Sequence, residues 1–379
     1  MSKKLFILVL ISFIFWNLGH VIFLHRSAYL STDYWQGFSQ LRQTYLDSQY
    51  VNKHPKGWVP DEVVNSYAGG AYIRGVAPYL IAPDTPPLGR YLIGISAVVF
   101  HNANIVILLS MLISLYILYV IGEQIYQSKI IALCVVAMVT SEPIILNQLI
   151  FSPLLDIIQL VFLLSCFYYF NLALTKHTLF YFFISNIFLG CFMATKFFAT
   201  GATIIISMMI ILFIHRYGKK ILLYIGTLPI SFIVLLATYV RAFVYGYSLK
   251  QIIGIQKWVF LYHKSQLILP FSIWPLLLFN RWYVWFGSKP IITDPQWRIT
   301  WPMITIMTGI TILLYVLRKI PRKIEIEIYM AWVVSYIFFF SFGQISSRYL
   351  VIYIPILYLI ATYGLWHMSL WLYTTYRRT

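Results

Sequence analysis

The chain has 379 residues, of which 60% are hydrophobic and only 10% are charged. Soluble domains carry about 25% charged residues, so this composition excludes an ordinary water-soluble domain and predicts an all-α, polytopic membrane protein. The formal net charge of +17 would suggest nucleic-acid binding in a soluble protein. In a membrane protein it is explained by basic connections that stay in the cytoplasm, and we therefore expect no nucleic-acid partner.

The first apolar run, residues 5–24, follows Lys3 and Lys4 and looks like a signal peptide. Because the run is long enough to span a membrane and no small-residue cleavage site follows it, we interpret it as a retained first span. Nine further apolar runs lie near the about 20 residues that a spanning helix needs. They are residues 105–123, 130–147, 153–174, 178–195, 198–215, 220–240, 301–318, 325–343 and 349–371.

Basic residues occupy alternate connections between these runs. With the N-terminus in the cytoplasm, every short inner connection is basic, as the positive-inside rule requires. These inner ends are Lys3-Lys4, 126–129, Lys176-His177, 215–220, 318–323 and Arg377-Arg378. The pattern predicts an integral, multi-pass membrane protein with a cytoplasmic N-terminus.

Two long outer segments, residues 25–104 and 241–300, separate groups of spans and are rich in Tyr, Trp and Pro. The second contains an apolar run, residues 267–286, that is interrupted by two prolines, an asparagine and an arginine. An eleventh span there would move the basic connection 318–323 outside, so we expect an interfacial or re-entrant helix instead. No internal repeat or soluble domain is apparent, which predicts a single transmembrane domain over residues 1–379.

Only 11 residues are acidic, and most of them fall on the predicted outer side. Asp61 and Glu62 form a pair in the first outer segment, and Asp84 follows them. Asp156 lies at the outer start of a span and Glu142 lies within one, where an ionisable side chain costs about 2.5–3.5 kcal/mol and marks a candidate functional site. The alternatives are a helix cap for Asp156, a structural pairing with arginine for either span residue, and a solvated loop for the Asp61-Glu62 pair.

Few basic residues lie in the outer half of the predicted bundle, and two of them interrupt span ends. Lys196 lies where the fifth and sixth spans meet, and Arg348 opens the last span. Taken singly, each is explained by a long side chain that extends to the membrane interface. Together they predict a site for an anionic group such as phosphate or pyrophosphate at the membrane surface.

The segment from Asp61 to Arg90 carries a recognisable order of residues. It contains the Asp61-Glu62 pair, Tyr67 and then Thr85-Pro86-Pro87-Leu88-Gly89-Arg90. This order resembles the first outer loop of the dolichyl-phosphate-mannose protein mannosyltransferases, which belong to the GT-C superfamily of membrane glycosyltransferases. In that family an Asp-Glu pair and a Tyr precede His-Pro-Pro-Leu-Gly-Lys. Thr85 and Arg90 replace the His and the Lys, and the change at Thr85 bears on acceptor recognition.

Shorter pieces resemble the same family in the same order along the chain. They are Leu154-Leu155-Asp156, Thr195-Lys196-Phe197, Tyr262-His263, Ser272-Ile273-Trp274-Pro275-Leu276, Arg348-Tyr349-Leu350 and Tyr353-Ile354-Pro355. The large soluble insert of eukaryotic members is absent, which makes the chain similar to a bacterial or archaeal member. The resemblance therefore covers most of the chain and implies a place in a bacterial or archaeal cytoplasmic membrane.

The resemblance implies a GT-C-type helical bundle of about 10–11 transmembrane helices, with interfacial helices in the outer loops. It also implies inverting transfer of a hexose, with mannose as the first choice, from a polyprenyl-phosphate donor. The implied acceptor is a hydroxyl group, with protein Ser or Thr as the first choice, and the reaction is expected at the outer membrane face. Membrane lipids are the remaining expected partners.

The resemblance and the charges together suggest roles for named residues. Asp61 is the expected general base, with Glu62 orienting it or contacting the acceptor. The candidate donor-phosphate ligands are Lys196, Arg348, Arg74 and Arg90, and the candidate sugar or acceptor contacts are Asp84, Asp156, Glu142, His263 and Trp274. Some relatives use a divalent cation. This chain lacks an Asp-X-Asp signature, so no metal site is predicted and metal dependence stays open.

Besides a purely structural membrane subunit, two alternatives to protein glycosylation remain at this point. The first keeps the fold and changes the acceptor to a lipid or a cell-wall polymer, and nothing in the sequence separates these acceptors. The second is a transporter or flippase for lipid-linked sugars, which would typically carry charges near mid-membrane and broken-helix repeats. Because the ionisable residues lie mainly at outer helix ends, surface chemistry is favoured. The identity of the sugar and the length of the lipid carrier are not encoded in any recognisable motif.

Overall fold

The computed structural model describes residues 2–176, 178–265, 269–284 and 291–376, without the side chains of residues 262–265 and 372–376. The first half contains α1 (Lys3–Leu24), α2 (Arg26–Leu30), α3 (Phe38–Leu46), α4 (Asp61–Ile73), α5 (Leu88–Val99), α6 (Ile105–Tyr126), α7 (Lys129–Thr140), α8 (Pro143–Ile150), α9 (Asp156–Lys176) and α10 (Leu179–Thr195). The second half contains α11 (Gly201–Ile214), α12 (Gly218–Thr227), α13 (Pro229–Ala237), α14 (Val240–Val244), α15 (Leu249–Ser265), α16 (Ile273–Phe279), α17 (Thr300–Val316), α18 (Ile324–Ser341) and α19 (Ile354–Tyr376). Short 3-10 turns lie at Pro78–Leu80, Phe198–Thr200 and Ser347–Val351, and β1 (Trp282–Tyr283) pairs with antiparallel β2 (Ile291–Ile292).

Every predicted apolar run folds as a helix or as a pair of helices, but the helices differ in length. Within the described ranges, five are long and apolar enough to cross a membrane: α1, α6, α9, α18 and the continuous pair α12–α13. The pair α7–α8 passes the same test with a bend of 62° at its break. The apolar helices α10, α17 and the stretch Phe198–Ile214 are shorter. The prediction of an all-α, polytopic membrane protein is confirmed.

The break between α7 and α8 is set by proline. Pro143 begins α8, because proline lacks the backbone N–H that a continuing helix would need from it. Glu142 therefore sits at the corner, where its carboxylate accepts hydrogen bonds from Thr300 Oγ1 at 2.6 Å and Trp301 Nε1 at 3.1 Å. The Tyr358 hydroxyl donates to the same carboxylate. Glu142 thus ties the broken helix to α17 and α19.

The predicted inner connections gather at one end of the bundle. Lys220 donates to the Leu174 carbonyl at 2.7 Å, which joins the basic connection 215–220 to the end of α9. Lys323 donates to the Ile125 carbonyl at 2.8 Å and joins the next basic connection to the end of α6. The basic residues therefore mark one end of the bundle. The candidate active site lies at the other end, where α9 begins and α10 ends.

The first outer segment packs on the bundle through α4 and α5. A Cβ atom on Gly94 would lie 2.2 Å from the Gly69 carbonyl oxygen, so only glycine permits this approach of the two helices. Gly89 of α5 lies against Leu155 and Thr195, where an added Cβ atom would meet their side chains at 2.7 and 3.1 Å. These contacts fix the position of α4 relative to the ends of α9 and α10.

The second outer segment contains α16, which has seven residues and a length of about 10 Å. Such a helix is too short to cross the about 30 Å of hydrocarbon. Trp274 of α16 donates its indole N–H to Ser341 Oγ at 3.2 Å and thereby holds α16 against the end of α18. The described part of the run 267–286 is therefore not a single spanning helix.

We expect reporters fused after Lys53 and after Val284 to lie on the same side of the membrane. A reporter fused after Lys219, in a basic connection, is expected on the opposite side, because short basic connections stay in the cytoplasm. A reporter enzyme that is active only outside the cytoplasm makes this measurement. Activity after Lys53 but not after Val284 would restore an eleventh span and reverse the orientation of the last three helices.

Candidate active site

Four charged residues from distant parts of the chain meet at one end of the bundle. Asp61 and Asp156 each lie in the first turn of a helix, α4 and α9, where a negative charge is stabilised by the helix dipole. Lys196 directly follows the last residue of α10. Arg348 lies in the 3-10 turn Ser347–Val351 that precedes α19. The fold therefore brings together residues that are separated by up to 287 positions.

The four side chains form a continuous chain of ion pairs. Arg348 Nη1 lies 2.5 Å from Asp61 Oδ2, and Arg348 Nη2 lies 3.1 Å from Asp156 Oδ2. Lys196 Nζ pairs with the other oxygen of Asp156. We call these four residues the charge cluster. Its two carboxylates balance its two cations, which lowers the cost of holding charge at a membrane protein's surface.

Exposure within the charge cluster runs from an open end to a closed end. The side chain of Asp61 keeps 46% of its surface accessible and that of Arg348 keeps 28%. Lys196 keeps 14% and Asp156 only 2%. Asp61 is therefore the member that a water-borne molecule can reach, whereas Asp156 lies at the floor and orients the two cations.

Among the described residues, Tyr50 and Tyr349 contact the charge cluster. Neither is a site residue predicted from the sequence. The Tyr50 hydroxyl donates to Asp61 Oδ1 at 3.0 Å. The ring of Tyr349 lies 4.9 Å from Lys196 Nζ, within cation–π distance. With 30 tyrosines in the chain, nothing in the sequence distinguishes Tyr50. Tyr349 directly follows Arg348 and belongs to the piece Arg348-Tyr349-Leu350 that resembles the family, which is the sequence signal for it.

One donor of the charge cluster has no acceptor. The Nε–H of Arg348 is buried and makes no hydrogen bond to any described residue. A buried donor without a partner costs about 1–3 kcal/mol, so it is suited to an acceptor supplied by a ligand. An anionic oxygen at this position would contact Arg348 without displacing Asp61 or Asp156 from its two Nη atoms.

Opposing effects set the pKa of Asp61. Its partial burial raises the pKa, but the nearby positive charge of Arg348, its hydrogen bond, and then the charge of Lys196 lower it. The net pKa lies below the ordinary value of 3.8. Asp61 is therefore ionised at neutral pH and is available to accept a proton.

We expect Arg348→Gln to move the acid limb of the pH–kcat/KM profile to higher pH. The loss of the Arg348 charge leaves burial less opposed, so the pKa of Asp61 rises and the base is protonated at a higher pH. In the unchanged protein the limb is expected below pH 3.8. Arg74→Gln is the matched control, and its profile should keep the original limb. If the acid limb of Arg348→Gln stays at the original pH, Asp61 is not the group whose protonation sets that limb.

A cavity of about 590 Å³ lies beside the charge cluster. Its wall includes six phenylalanines together with Gln344 and Tyr349. Phe197 and Tyr349, which line it, are the chain neighbours of Lys196 and Arg348. Because the ring of Tyr349 also lies 4.9 Å from Lys196 Nζ, the apolar cavity adjoins one cation of the charge cluster, an arrangement that suits a lipid with a charged head group.

Arg90 stabilises the first outer segment through hydrogen bonds. Its buried guanidinium donates to Asn65 Oδ1 at 3.1 Å, to the Ala82 carbonyl, and to Asp84 at 3.5 Å. Burial and then the negative charges of Asp61 and Asp84 raise the pKa of Tyr50, so both carboxylates lie near that hydroxyl. Arg90 thus places Asp84 at the edge of the site, and its donors are engaged by protein acceptors.

The remaining candidates do not join the charge cluster. Arg74 lies at the far end of α4, about 20 Å from Asp61 along the helix, with its guanidinium over the rings of Trp35 and Phe38. Glu142 and Trp274 make the helix-packing contacts described above. Glu62 lies beside Asp61 in the first turn of α4 and has no ion-pair partner in the described part of the chain. The side chain of His263 lies outside the described residues.

The described residues contain no group of three His, Cys, Asp or Glu side chains that could hold a metal ion. Asp61 and Asp156, the two carboxylates of the charge cluster, are paired with Arg348 and Lys196 instead. The described residues therefore include no ligand set for the divalent cation that some relatives use.

Comparison with known proteins bears on the same region. No curated protein matches the chain. Residues 84–241 match the family model described as dolichyl-phosphate-mannose-protein mannosyltransferase. The matched region contains Asp84, Arg90, Asp156 and Lys196, whereas Asp61 and Arg348 lie on either side of it. The match confirms the resemblance found in the sequence: residues 84–241, less than half of the chain, are similar to the dolichyl-phosphate-mannose-protein mannosyltransferase family.

Proposed function

We propose that the protein transfers a hexose from a polyprenyl-phosphate donor to a hydroxyl acceptor with inversion at the anomeric carbon. Mannose is the proposed sugar, because the matching family is named for it. A protein Ser or Thr is the proposed acceptor. The observation that carries the proposal is the charge cluster. In it the accessible carboxylate of Asp61 pairs with Arg348, and Asp156 joins Arg348 to Lys196. An apolar cavity lies beside these residues.

Asp61 is the proposed general base. The acceptor oxygen attacks the anomeric carbon from the face opposite the phosphate, and its proton passes to the Asp61 carboxylate. The Tyr50 hydroxyl donates to Asp61 Oδ1 at 3.0 Å and so orients the carboxylate that receives the proton. The lowered pKa of Asp61 keeps the base ionised, which suits proton transfer from a hydroxyl group that becomes acidic as it attacks.

Lys196 and Arg348 are the proposed ligands of the donor phosphate. As the bond between the anomeric carbon and the phosphate oxygen breaks, its electron pair stays with that oxygen. Cations held in place before the reaction stabilise this charge without having to reorganise. Asp156 is proposed to fix both cations, since one of its oxygens pairs with each. The products are the glycoside and the polyprenyl phosphate.

The proposed donor lies with its isoprenoid chain in the apolar cavity and its phosphate at the charge cluster. Phe197 and Tyr349 line the cavity and adjoin Lys196 and Arg348 in the chain, so one lipid can occupy both places. Asp84, held by Arg90, is the proposed contact for sugar hydroxyls, and Glu62 is the proposed contact for the acceptor. Arg90 itself is proposed to position Asp84 rather than to bind phosphate.

The site is proposed to face the outside of the cell, with the N-terminus in the cytoplasm. The basic connections at the other end of α9 and α10 support this orientation through the positive-inside rule. An outer site also fits a donor whose head group lies at the membrane surface. A bacterial or archaeal cytoplasmic membrane remains the proposed location.

The test is transfer of radiolabel by the purified protein in lipid vesicles. Vesicles with polyprenyl-phosphate [³H]mannose, a Ser/Thr-rich peptide and a separate lipid acceptor fraction are incubated, and label is counted in each. Label in the peptide supports the proposal, and label in the lipid fraction keeps the chemistry but replaces the acceptor. Label that remains only on the donor, while unlabelled donor crosses the bilayer, would favour a flippase.

A further inference from the structure

Gln344 is an unusual residue within the apolar cavity. It lies in the loop between α18 and the 3-10 turn Ser347–Val351, and it lines the cavity together with Tyr349. Both polar atoms of its amide, Nε2 and Oε1, are buried and make no hydrogen bond to any described residue. The surrounding wall includes six phenylalanines. Gln344 thus places the N–H donors and the carbonyl acceptor of an amide in a largely apolar space.

Buried polar groups in proteins are nearly always hydrogen-bonded, and leaving one unpaired is costly. The two atoms of Gln344 need different partners: Nε2–H needs an acceptor, and Oε1 needs a donor. An isoprenoid or acyl chain alone supplies neither. The ligand that satisfies both atoms therefore has an acceptor and a hydroxyl-type donor close together at the head of an apolar chain.

The position of Gln344 relative to the cations narrows the choice of ligand. Gln344 lines the cavity together with Tyr349, and the ring of Tyr349 lies 4.9 Å from Lys196 Nζ. A phosphate held by the two cations offers oxygens that accept from Nε2–H. A sugar attached to that phosphate offers hydroxyl groups that donate to Oε1.

We propose that Gln344 determines specificity for the sugar-loaded carrier over the spent carrier. This inference rests on the function proposed above and adds a residue and a discrimination to it. The loaded donor satisfies both amide atoms of Gln344. The spent polyprenyl phosphate satisfies Nε2–H only and leaves Oε1 buried without a donor, which weakens its binding. Gln344 therefore favours release of the product and entry of a fresh donor.

The experiment measures displacement of a labelled polyprenyl-phosphate mannose from the purified full-length protein. The competitors are the unlabelled loaded donor, the spent polyprenyl phosphate and phosphatidylglycerol. We expect the ratio of loaded-donor affinity to spent-carrier affinity to be about tenfold higher in the unchanged protein than in Gln344→Met, which corresponds to one buried unpaired acceptor. The stronger attraction of the spent dianion to the two cations is the same in both proteins and cancels in this comparison. Phosphatidylglycerol is expected to compete more weakly than either.

Gln344→Met removes both polar atoms and keeps an unbranched side chain of similar length. We expect the preference for the loaded donor to fall by about tenfold relative to the unchanged protein, because the spent carrier no longer leaves an acceptor unpaired. Gln344→Glu keeps an acceptor for the sugar hydroxyl and should retain the preference, although its charge weakens both ligands. Phe342→Leu, which lines the same cavity, is the matched control and should weaken both ligands equally.

A preference that is unchanged in Gln344→Met, or a loss of affinity that is equal for both carriers, would overturn the proposal. Competition by phosphatidylglycerol that equals the loaded donor would make the cavity an ordinary lipid site and overturn it as well. If Gln344→Met does not fold, the comparison of Gln344→Glu with the unchanged protein still decides: loss of the preference in Gln344→Glu contradicts the assigned role. Because these are binding measurements, they are independent of whether transfer occurs, and absence of transfer by the unchanged protein would count against the proposed function instead.

Discussion

Asp61→Asn is expected to abolish sugar transfer while the protein stays folded and inserted in the membrane. General-base catalysis contributes about 10²–10⁴-fold to a rate, and asparagine cannot accept the proton of the attacking hydroxyl. The amide keeps the size of the carboxylate and can still accept a hydrogen bond from Arg348 or Tyr50, so donor binding is expected to change little. The measurement is kcat for transfer from polyprenyl-phosphate mannose, together with the donor dissociation constant.

Asp47→Asn is the matched control for this change. Asp47 lies in the same outer segment and pairs with Lys56 at the exposed surface, 3.3 Å away. The same substitution there should leave kcat unchanged, because surface ion pairs contribute little. If Asp61→Asn turns over nearly as fast as the unchanged protein, Asp61 is not the general base, and Glu62 and Asp84 become the candidates for that role.

Lys196→Met is the second change with a large expected effect. It removes one of the two cations proposed to bind the donor phosphate, and a hydrogen bond to a charged group is worth about 1.5–3 kcal/mol, or roughly 10–150-fold in affinity. Donor affinity should fall by that factor, whereas the KM of the acceptor should stay nearly constant. The substitution also leaves buried Asp156 with Arg348 as its remaining ionic partner, so the protein should lose thermal stability.

The double variant Lys196→Met/Asp156→Asn separates binding from stability. Removing the unbalanced carboxylate should restore much of the thermal stability but not the donor affinity. Lys250→Met, on an outer helix away from the charge cluster, controls for loss of a positive charge. Donor affinity that is unchanged in Lys196→Met would leave this lysine the structural role of neutralising Asp156.

The scarcity of acidic residues made the charge cluster partly predictable. Asp61, Asp156, Lys196 and Arg348 stand out in a chain with so few charges. Asp156, Lys196 and Arg348 fall at the outer ends of predicted spans, and Asp61 falls in the first outer segment. Their convergence follows from topology, because alternate helix ends lie on the same side of a membrane. The pairing itself, with Arg348 shared between two carboxylates, depends on side-chain packing that no sequence pattern encodes.

For Glu142 and Arg90, a charged residue at a candidate position does not by itself predict which groups it contacts. Glu142 lies within a predicted span, yet in the structure it receives hydrogen bonds from Thr300, Trp301 and Tyr358 and joins helices. Arg90 stands at the family's lysine position, but its donors are engaged by Asn65 and neighbouring loop groups. In both cases the partner is decided by residues far away in the chain or by a loop conformation. Neither is visible from local sequence.

The helix count illustrates a similar limit. Some apolar runs in the sequence include turn residues and caps and are longer than the helix that forms, as in the run 198–215, which contains α11 (Gly201–Ile214). The run 130–147 contains a corner at Glu142 and Pro143, and the last run begins with a 3-10 turn around Arg348. Both interruptions place a charged side chain at a helix end: Glu142 joins helices, and Arg348 belongs to the charge cluster.

The most direct test of the charge cluster is a structure of the protein bound to a non-transferable analogue of polyprenyl-phosphate mannose. We expect the phosphate oxygens about 2.7–2.9 Å from Lys196 Nζ and Arg348 Nε, the usual distance of charge-assisted hydrogen bonds. The isoprenoid chain should lie in the cavity lined by Phe197 and Tyr349, and the anomeric carbon should lie near Asp61. A phosphate bound elsewhere, with the Asp61–Arg348–Asp156–Lys196 ion pairs unchanged and without a ligand, would contradict the account.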